Sequence, residues 1–152
     1  MKPITHLPSL PTYQHTSDQT TLTSQTIISV LVTYNPELTG LEKVLRALVP
    51  QVGRLVVVDN GSEHSEAVST LASSMGAAWI PLGINKGLAE AQNIGLKTAL
   101  DLGAAGVLLM DQDTVLHPDV VASLTDLYNG LQAQGVPVGS VGNAFRDTHD
   151  GR

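Results

Sequence analysis

Ile27-Ile28-Ser29-Val30-Leu31-Val32, followed by Thr33-Tyr34-Asn35-Pro36, decides how the rest of the chain is read. The first six residues are mostly apolar and β-branched, with no polar alternation. A short run of that kind fits a strand buried on both faces, as in a parallel sheet. Pro36 disfavours its continuation. Leu38, Leu41, Val44, Leu45 and Leu48 then recur at helical spacing, with Glu42 and Arg46 opposite them as an i,i+4 pair. Pro50 ends that helix.

The same unit repeats downstream. Arg54 to Asp59 reads as a second buried strand. Asn60-Gly61-Ser62 is a turn and helix start, and a helix runs to about Met75. Ala77 to Pro81 reads as a third, shorter strand. Gly87 to Leu102 reads as a helix with Leu88, Ala91, Leu96, Ala99 and Leu100 on one stripe, and Gly103 just past its end. Gly106 to Asp111 is a fourth strand. A helix starting at Pro118 carries Val120, Val121, Leu124, Leu127, Tyr128 and Leu131 on one face. Val138 to Val141 reads as a fifth strand. Buried strands alternating with amphipathic helices predict an α/β fold, a mainly parallel sheet covered on both sides.

Composition narrows the function. The 152 residues, 42% of them apolar, suit one domain with a real core. Eight scattered basic residues and a net charge of -6 argue against a nucleic-acid binder. Without cysteine there is no disulfide framework and no thiolate ligand or nucleophile. That absence fits a cytoplasmic protein. No stretch is long and apolar enough for a transmembrane helix, and the start lacks the apolar core of a signal peptide. Residues 1–26 differ from the rest: Thr, Ser, Pro and Gln fill 16 of the 26 positions. They read as a flexible polar tail, with residues 27–152 as the folded part.

Ligands of parallel sheets bind at the carboxyl ends of the strands. Three of the strands end in polar clusters: Thr33-Tyr34-Asn35, Asp59-Asn60-Gly61-Ser62 and Asp111-Gln112-Asp113. All three are predicted to share one rim, as a polar, acid-lined site. In an extended segment Asp111 and Asp113 point the same way. Two such carboxylates repel unless a cation lies near them, and Mg2+ or Mn2+ suits oxygen ligands of this kind with substrate phosphates completing the shell. The other reading is a solvated loop after the strand. Asp59 is placed either to accept from a nucleobase N–H or ribose hydroxyl, or to cap the following helix with Asn60 and Ser62. Small residues after Asn85-Lys86, namely Gly87, Ala89 and Ala91, admit either a ligand anion at a helix start or tight helix–sheet packing.

Other chemistries lack their signatures. No G-x-G-x-x-G follows the first strand, and there is no Walker A or G-x-S-x-G sequence. The five histidines show no metal-ligand spacing. His117 lies nearest the acidic pair, and a surface or cap role suits it.

Four motifs in order carry a resemblance: Val32 to Pro36, Val57 to Ser62, Asn85 to Gly95, and Leu108 to Asp113. Over about residues 27–145 the chain resembles family 2 glycosyltransferases, and within them bacterial rhamnosyltransferases of cell-surface polysaccharide assembly. The D-Q-D form of the acidic motif and the A-x-N-x-G stretch point to that subgroup. The resemblance implies a GT-A fold, a Rossmann-like three-layer sandwich. It also implies inverting, metal-assisted transfer from a nucleotide-diphosphate sugar. The implied donor is dTDP-L-rhamnose, with a UDP-sugar as the other option. The implied acceptor is a cell-surface glycan or lipid-linked glycan at the inner face of the plasma membrane. By position, Thr33, Tyr34 and Asn35 would line the nucleotide pocket and Asp59 would contact the base. Asn85, Lys86, Gly87 and Ala89 would lie along the ribose and phosphates. Asp111 would contact ribose or metal, and Asp113 would ligate Mg2+ or Mn2+. The family places its catalytic base in the second half of the domain, beyond Arg152. Asp119, Asp126 and Asp147 do not occupy its position. The chain therefore corresponds to a truncated, donor-binding part of such an enzyme, with a non-catalytic module or remnant as the alternative reading. A sheet edge left open by that truncation predicts a homodimer or poor solubility.

Overall fold

A computed structural model of the protein describes residues 21–142. Four strands form one parallel sheet in the order β3-β2-β1-β4: β1 is Ile27–Thr33, β2 Arg54–Asp59, β3 Ala78–Pro81 and β4 Gly106–Met110. Four helices connect or follow them: α1 Leu38–Leu48, α2 Ser65–Ser74, α3 Leu88–Asp101 and α4 Val120–Ala133. The predicted α/β class with a parallel sheet stands.

Every residue of β1 is buried, as its unbroken apolar run requires. Its alternate side chains feed two cores. On one face Leu31 and Val57 meet Leu41, Val44, Leu45 and Leu48 of α1, Val68 and Ala72 of α2, and Val121 of α4. On the other, Val30, Val32, Val56 and Val58 meet Ala91 and Ala99 of α3. The sheet is thus the middle of three layers.

The buried stripe of α3 differs from the sequence pattern. Ala91, Gly95 and Ala99 are buried, whereas Leu88 and Leu100 are 55% and 64% exposed. A Cβ at Gly95 would run into Val30 Cγ1 and come within 3.1 Å of Val58 Cγ2. Small residues at i, i+4 and i+8 let the helix backbone settle onto the valines, which leaves the flanking leucines outside. Of the two readings of these small residues, packing holds for Ala91, while Gly87 and Ala89 are exposed.

Three further differences concern ends. Pro50 does not stop α1 abruptly; it lies inside a 3-10 turn, Val49–Gln51, that continues it. Residues 138–141 form no strand. Pro137 has no N–H to offer a ladder, and Gly139 and Gly142 weaken extended pairing. Most of the polar tail lies outside the described residues, but its last part is seen. Asn129 of α4 holds Leu22 through two bonds, Leu22 N to Oδ1 at 2.9 Å and Nδ2 to Leu22 O at 2.8 Å. Ser24–Thr26 then forms a 3-10 turn leading into β1.

Helix α1 begins directly after the β1 loop. Glu37 caps it, accepting from Thr39 N at 2.8 Å and Gly40 N at 2.5 Å. The Thr39 bonds, the Gly40 bond and nearby Lys43 hold the Glu37 carboxyl below the usual range. The Glu42–Arg46 pair forms at 2.6 Å on the exposed side of α1. Among the described residues no helix is long and apolar enough to cross a membrane.

Candidate functional site

From β1 the chain steps outward to β2 and β3 on one side, then crosses back over α3 to β4 on the other. The order reverses between β1 and β4, and crevices at such reversals hold ligands in open α/β sheets. The carboxyl ends of β1, β2 and β4 do share one rim, and their polar clusters are hydrogen-bonded to one another.

The β2 end is saturated. Thr33 and Asp59 are register neighbours and both fully buried. Asp59 Oδ1 accepts from Thr33 Oγ1 at 3.0 Å and from Ser62 Oγ at 2.5 Å. Asp59 Oδ2 accepts from Ser62 N at 3.1 Å and Ser65 Oγ at 2.9 Å. Four donors converge on one carboxyl, which is what lets it be buried. Asp59 does not cap α2, whose N-cap residue His64 has no side-chain cap bond; it ties the end of β2 to Thr33 and to the turn from Ser62 to Ser65. Ser62 Oγ also accepts from Asn35 N at 2.9 Å, and Asn35 Oδ1 accepts from Glu63 N at 2.8 Å. Asn35 adopts φ 46°, a left-handed conformation that Asn tolerates better than most residues.

Asn60 carries this order to the next loop. Its Nδ2 donates to Asn85 Oδ1 at 3.1 Å, and its Oδ1 accepts from Lys86 N at 2.9 Å. Asn85 Oδ1 accepts in addition from Gly87 N at 2.9 Å. Between them Gly61, at φ 87°, lies flat against the Ile84–Asn85 backbone. A Cβ there would come within 2.5 Å of Ile84 C and 2.7 Å of Asn85 N, so only glycine fits. The result fixes Gly87, the residue that caps α3. Gly87 offers no side-chain cap, so the first amides of this 14-residue helix face the rim without an internal acceptor.

The β4 end is open. Asp111 and Asp113 are exposed and, among the described residues, neither accepts a hydrogen bond nor joins an ion pair. The sequence predicts an extended segment here; residues 112 and 113 instead form a turn, and both acidic residues still line the cleft. That cleft, about 520 Å3, is bounded by Val32, Tyr34, Asn60, Asn85, Gly87, Leu88, Asp111, Gln112 and Asp113. A larger one, about 640 Å3, lies beyond Asn35 against the start of α2 and contains neither member of the acidic pair.

Of the residues singled out in the sequence, Tyr34, Asn85, Gly87, Asp111 and Asp113 therefore meet in one cleft. Thr33 and Asp59 lie beneath it, Asn35 faces the neighbouring cleft, and Lys86 and Ala89 are exposed but line neither. Val32 and Leu88 add apolar wall that the polar clusters do not include, and Asn60 and Gln112 belong to those clusters without a binding role of their own in the sequence reading. Gln112 sits inside the acidic motif, yet nothing local shows what its amide reaches. His117 is exposed, with Nδ1 2.8 Å from Pro118 O, as a surface residue would be.

The donor set fits a divalent cation held in part by the protein. Two unpaired carboxylates offer hard oxygen ligands, and among the described residues no group of three or more His, Asp or Glu could enclose an ion alone. Mg2+ and Mn2+ commonly take one or two carboxylates and complete their shell from water and substrate phosphates.

The model of the family described as glycosyl transferase family 2 matches residues 29–150. The dTDP-rhamnosyl transferase RfbF of Shigella flexneri is 37% identical over 99 residues, which are 65% of this chain and 33% of RfbF. The chain thus spans about one third of the length of that relative. Among solved structures, S. aureus TarS 1-349 aligns with a TM-score of 0.46 and 22% identity, over 72% of this chain and 33% of TarS.

Proposed function

This chain belongs to glycosyl transferase family 2, and we propose that its open cleft binds the nucleotide-diphosphate sugar donor of an inverting, metal-assisted transfer. One observation carries the reading: the unpaired carboxylates of Asp111 and Asp113 face the uncapped amino end of α3 across a single cleft. A diphosphate suits that gap. Its anionic oxygens would be held by the α3 amides on one side and by a carboxylate-bound cation on the other. The nucleoside would lie toward Tyr34, a residue 46% exposed on the cleft wall. Similarity to a dTDP-rhamnosyl transferase supports a dTDP-linked rhamnose donor. The acceptor in this reading is a cell-surface or lipid-linked glycan.

Each part has a physical task. Asp113 and Asp111 would hold Mg2+ or Mn2+, which when bound offsets charge on the leaving diphosphate. The α3 amides, fixed in place by Asn60 and Asn85, add preorganised donors to the same end. An acceptor hydroxyl would attack the anomeric carbon from the face opposite the diphosphate and lose its proton to a carboxylate base. Asp111 and Asp113 are the only carboxylates lining the cleft among the described residues. That observation favours, as a second reading, a chain whose own residues bind donor without transferring sugar.

Calorimetric titration of dTDP into the folded chain, with and without Mn2+ and beside UDP, tests the proposal. The expected result is dTDP binding that tightens with Mn2+ and exceeds that of UDP. A folded chain that binds neither nucleotide would overturn it.

A further inference from the structure

The register between β1 and β4 ends at Leu31 and Met110. Beyond it the two segments no longer pair with each other: β1 stays paired with β2 through Thr33 and then runs into Tyr34 and the left-handed Asn35, while β4 runs into the turn at 112–113. The Gln112 side chain bridges them. Tyr34 N donates to Gln112 Oε1 at 2.8 Å, and Gln112 Nε2 donates to Tyr34 O at 3.3 Å. In a parallel ladder, the N–H and C=O of one residue both bond to the neighbouring strand. Here one side-chain amide satisfies both groups, as an added rung where the backbone rungs have stopped. Among the described residues, these two are the hydrogen bonds that join the loop after β1 to the acidic turn. They also leave the neighbouring carboxylates of Asp111 and Asp113 unpaired.

We infer that Gln112 is a positioning residue, which sets the acidic pair at a fixed distance from Tyr34 so that one ligand can engage both. The inference rests on the donor-and-metal reading above and adds a specific consequence to it. A nucleotide at Tyr34 and a cation at Asp113 touch different segments. Each can bind without the clasp, but their mutual strengthening requires the two segments to be held in register. Gln112 therefore acts on the coupling between the ligands, and that coupling is reciprocal. Groups that orient metal ligands without touching the metal commonly change metal affinity by about 10-fold or more when removed.

The test is a calorimetric cycle on the full chain with dTDP alone, Mn2+ alone, and each in the presence of the other. In Gln112→Met, which keeps the side chain's length and removes both bonds, the factor by which Mn2+ tightens dTDP binding should fall about tenfold. Binding of dTDP without metal should weaken by a smaller factor, and the melting temperature should change little. Gln112→Asn retains an amide but is one methylene too short, and it should lose the coupling as well. A purely structural role would instead weaken dTDP equally with and without Mn2+. That result, wild-type coupling in both variants, or collapse of the melt in both, would overturn the inference. A wild-type chain whose dTDP affinity ignores Mn2+ would overturn the donor-and-metal reading beneath it, and this inference with it.

Discussion

Two acidic regions end the strands that flank β1 on either side, and they are built in opposite ways. Asp59, after β2, is fully buried and accepts from four donors. Asp111 and Asp113, after β4, are exposed and accept from none among the described residues. In sequence the two look alike, as an apolar run closing on aspartate. The difference shows that a carboxylate at a strand end serves either the protein or a ligand, according to how many internal donors surround it. A satisfied carboxylate fixes backbone, and an unsatisfied one at the mouth of a cleft keeps its acceptor capacity for something else.

The contrast is open to direct attack. Asp59→Ala should cost about 3 kcal/mol or more, because it strands the buried donors of Thr33 and Ser62 and the half-buried hydroxyl of Ser65. Urea denaturation measures that loss, and an unchanged midpoint would show that the buried network contributes nothing. Asp113→Ala should do the reverse. Its stability should stay within about 0.5 kcal/mol of wild type, while the Mn2+-dependent part of dTDP binding disappears. A variant that unfolds, or that keeps the metal effect, would erase the distinction between the two regions.

The smallest effect belongs to a third carboxyl, Glu37, which is exposed like Asp113 yet, like Asp59, satisfied by donors within the protein. Its folded-state pKa is lowered, chiefly by the Thr39 amide. A lowered pKa stabilises the fold above the unfolded value, about 4.3 for Glu. That contribution fades as pH falls through the lowered folded value. Melting temperatures of wild type and Glu37→Gln should therefore differ slightly at pH 7 and converge in acid. A gap that persists undiminished at low pH would assign the effect to something other than the charged cap.

Much of this was legible in the sequence because it is periodic or punctuated. The β1 run, the α1 stripe and the polar strand ends announce the parallel sheet and its rim. The rest depends on contacts that local pattern does not encode. Gln112 reaches Tyr34 across 78 positions, and Asn60 reaches Asn85 across 25. Nothing within either motif specifies those partners. The α3 stripe differs because hydrophobicity favours leucine, whereas the helix–sheet contact is decided by volume, and Gly95 has no side chain to mark the pattern. Val138 to Val141 has the composition of a strand but follows Pro137 and is interrupted by glycine.

Gly95 has a mechanical consequence. Eight residues separate Gly95 from Gly87, about 12 Å along the helix axis. Helix α3 is a lever resting on Val30 and Val58, with Gly95 as the fulcrum and the amino end as the tip. Raising the fulcrum by one methyl group would lift the tip away from the rim, although no residue of the cleft had changed. The depth of the cleft is thus set by a carbon atom that the sequence leaves out, at a position that does not itself line the cleft.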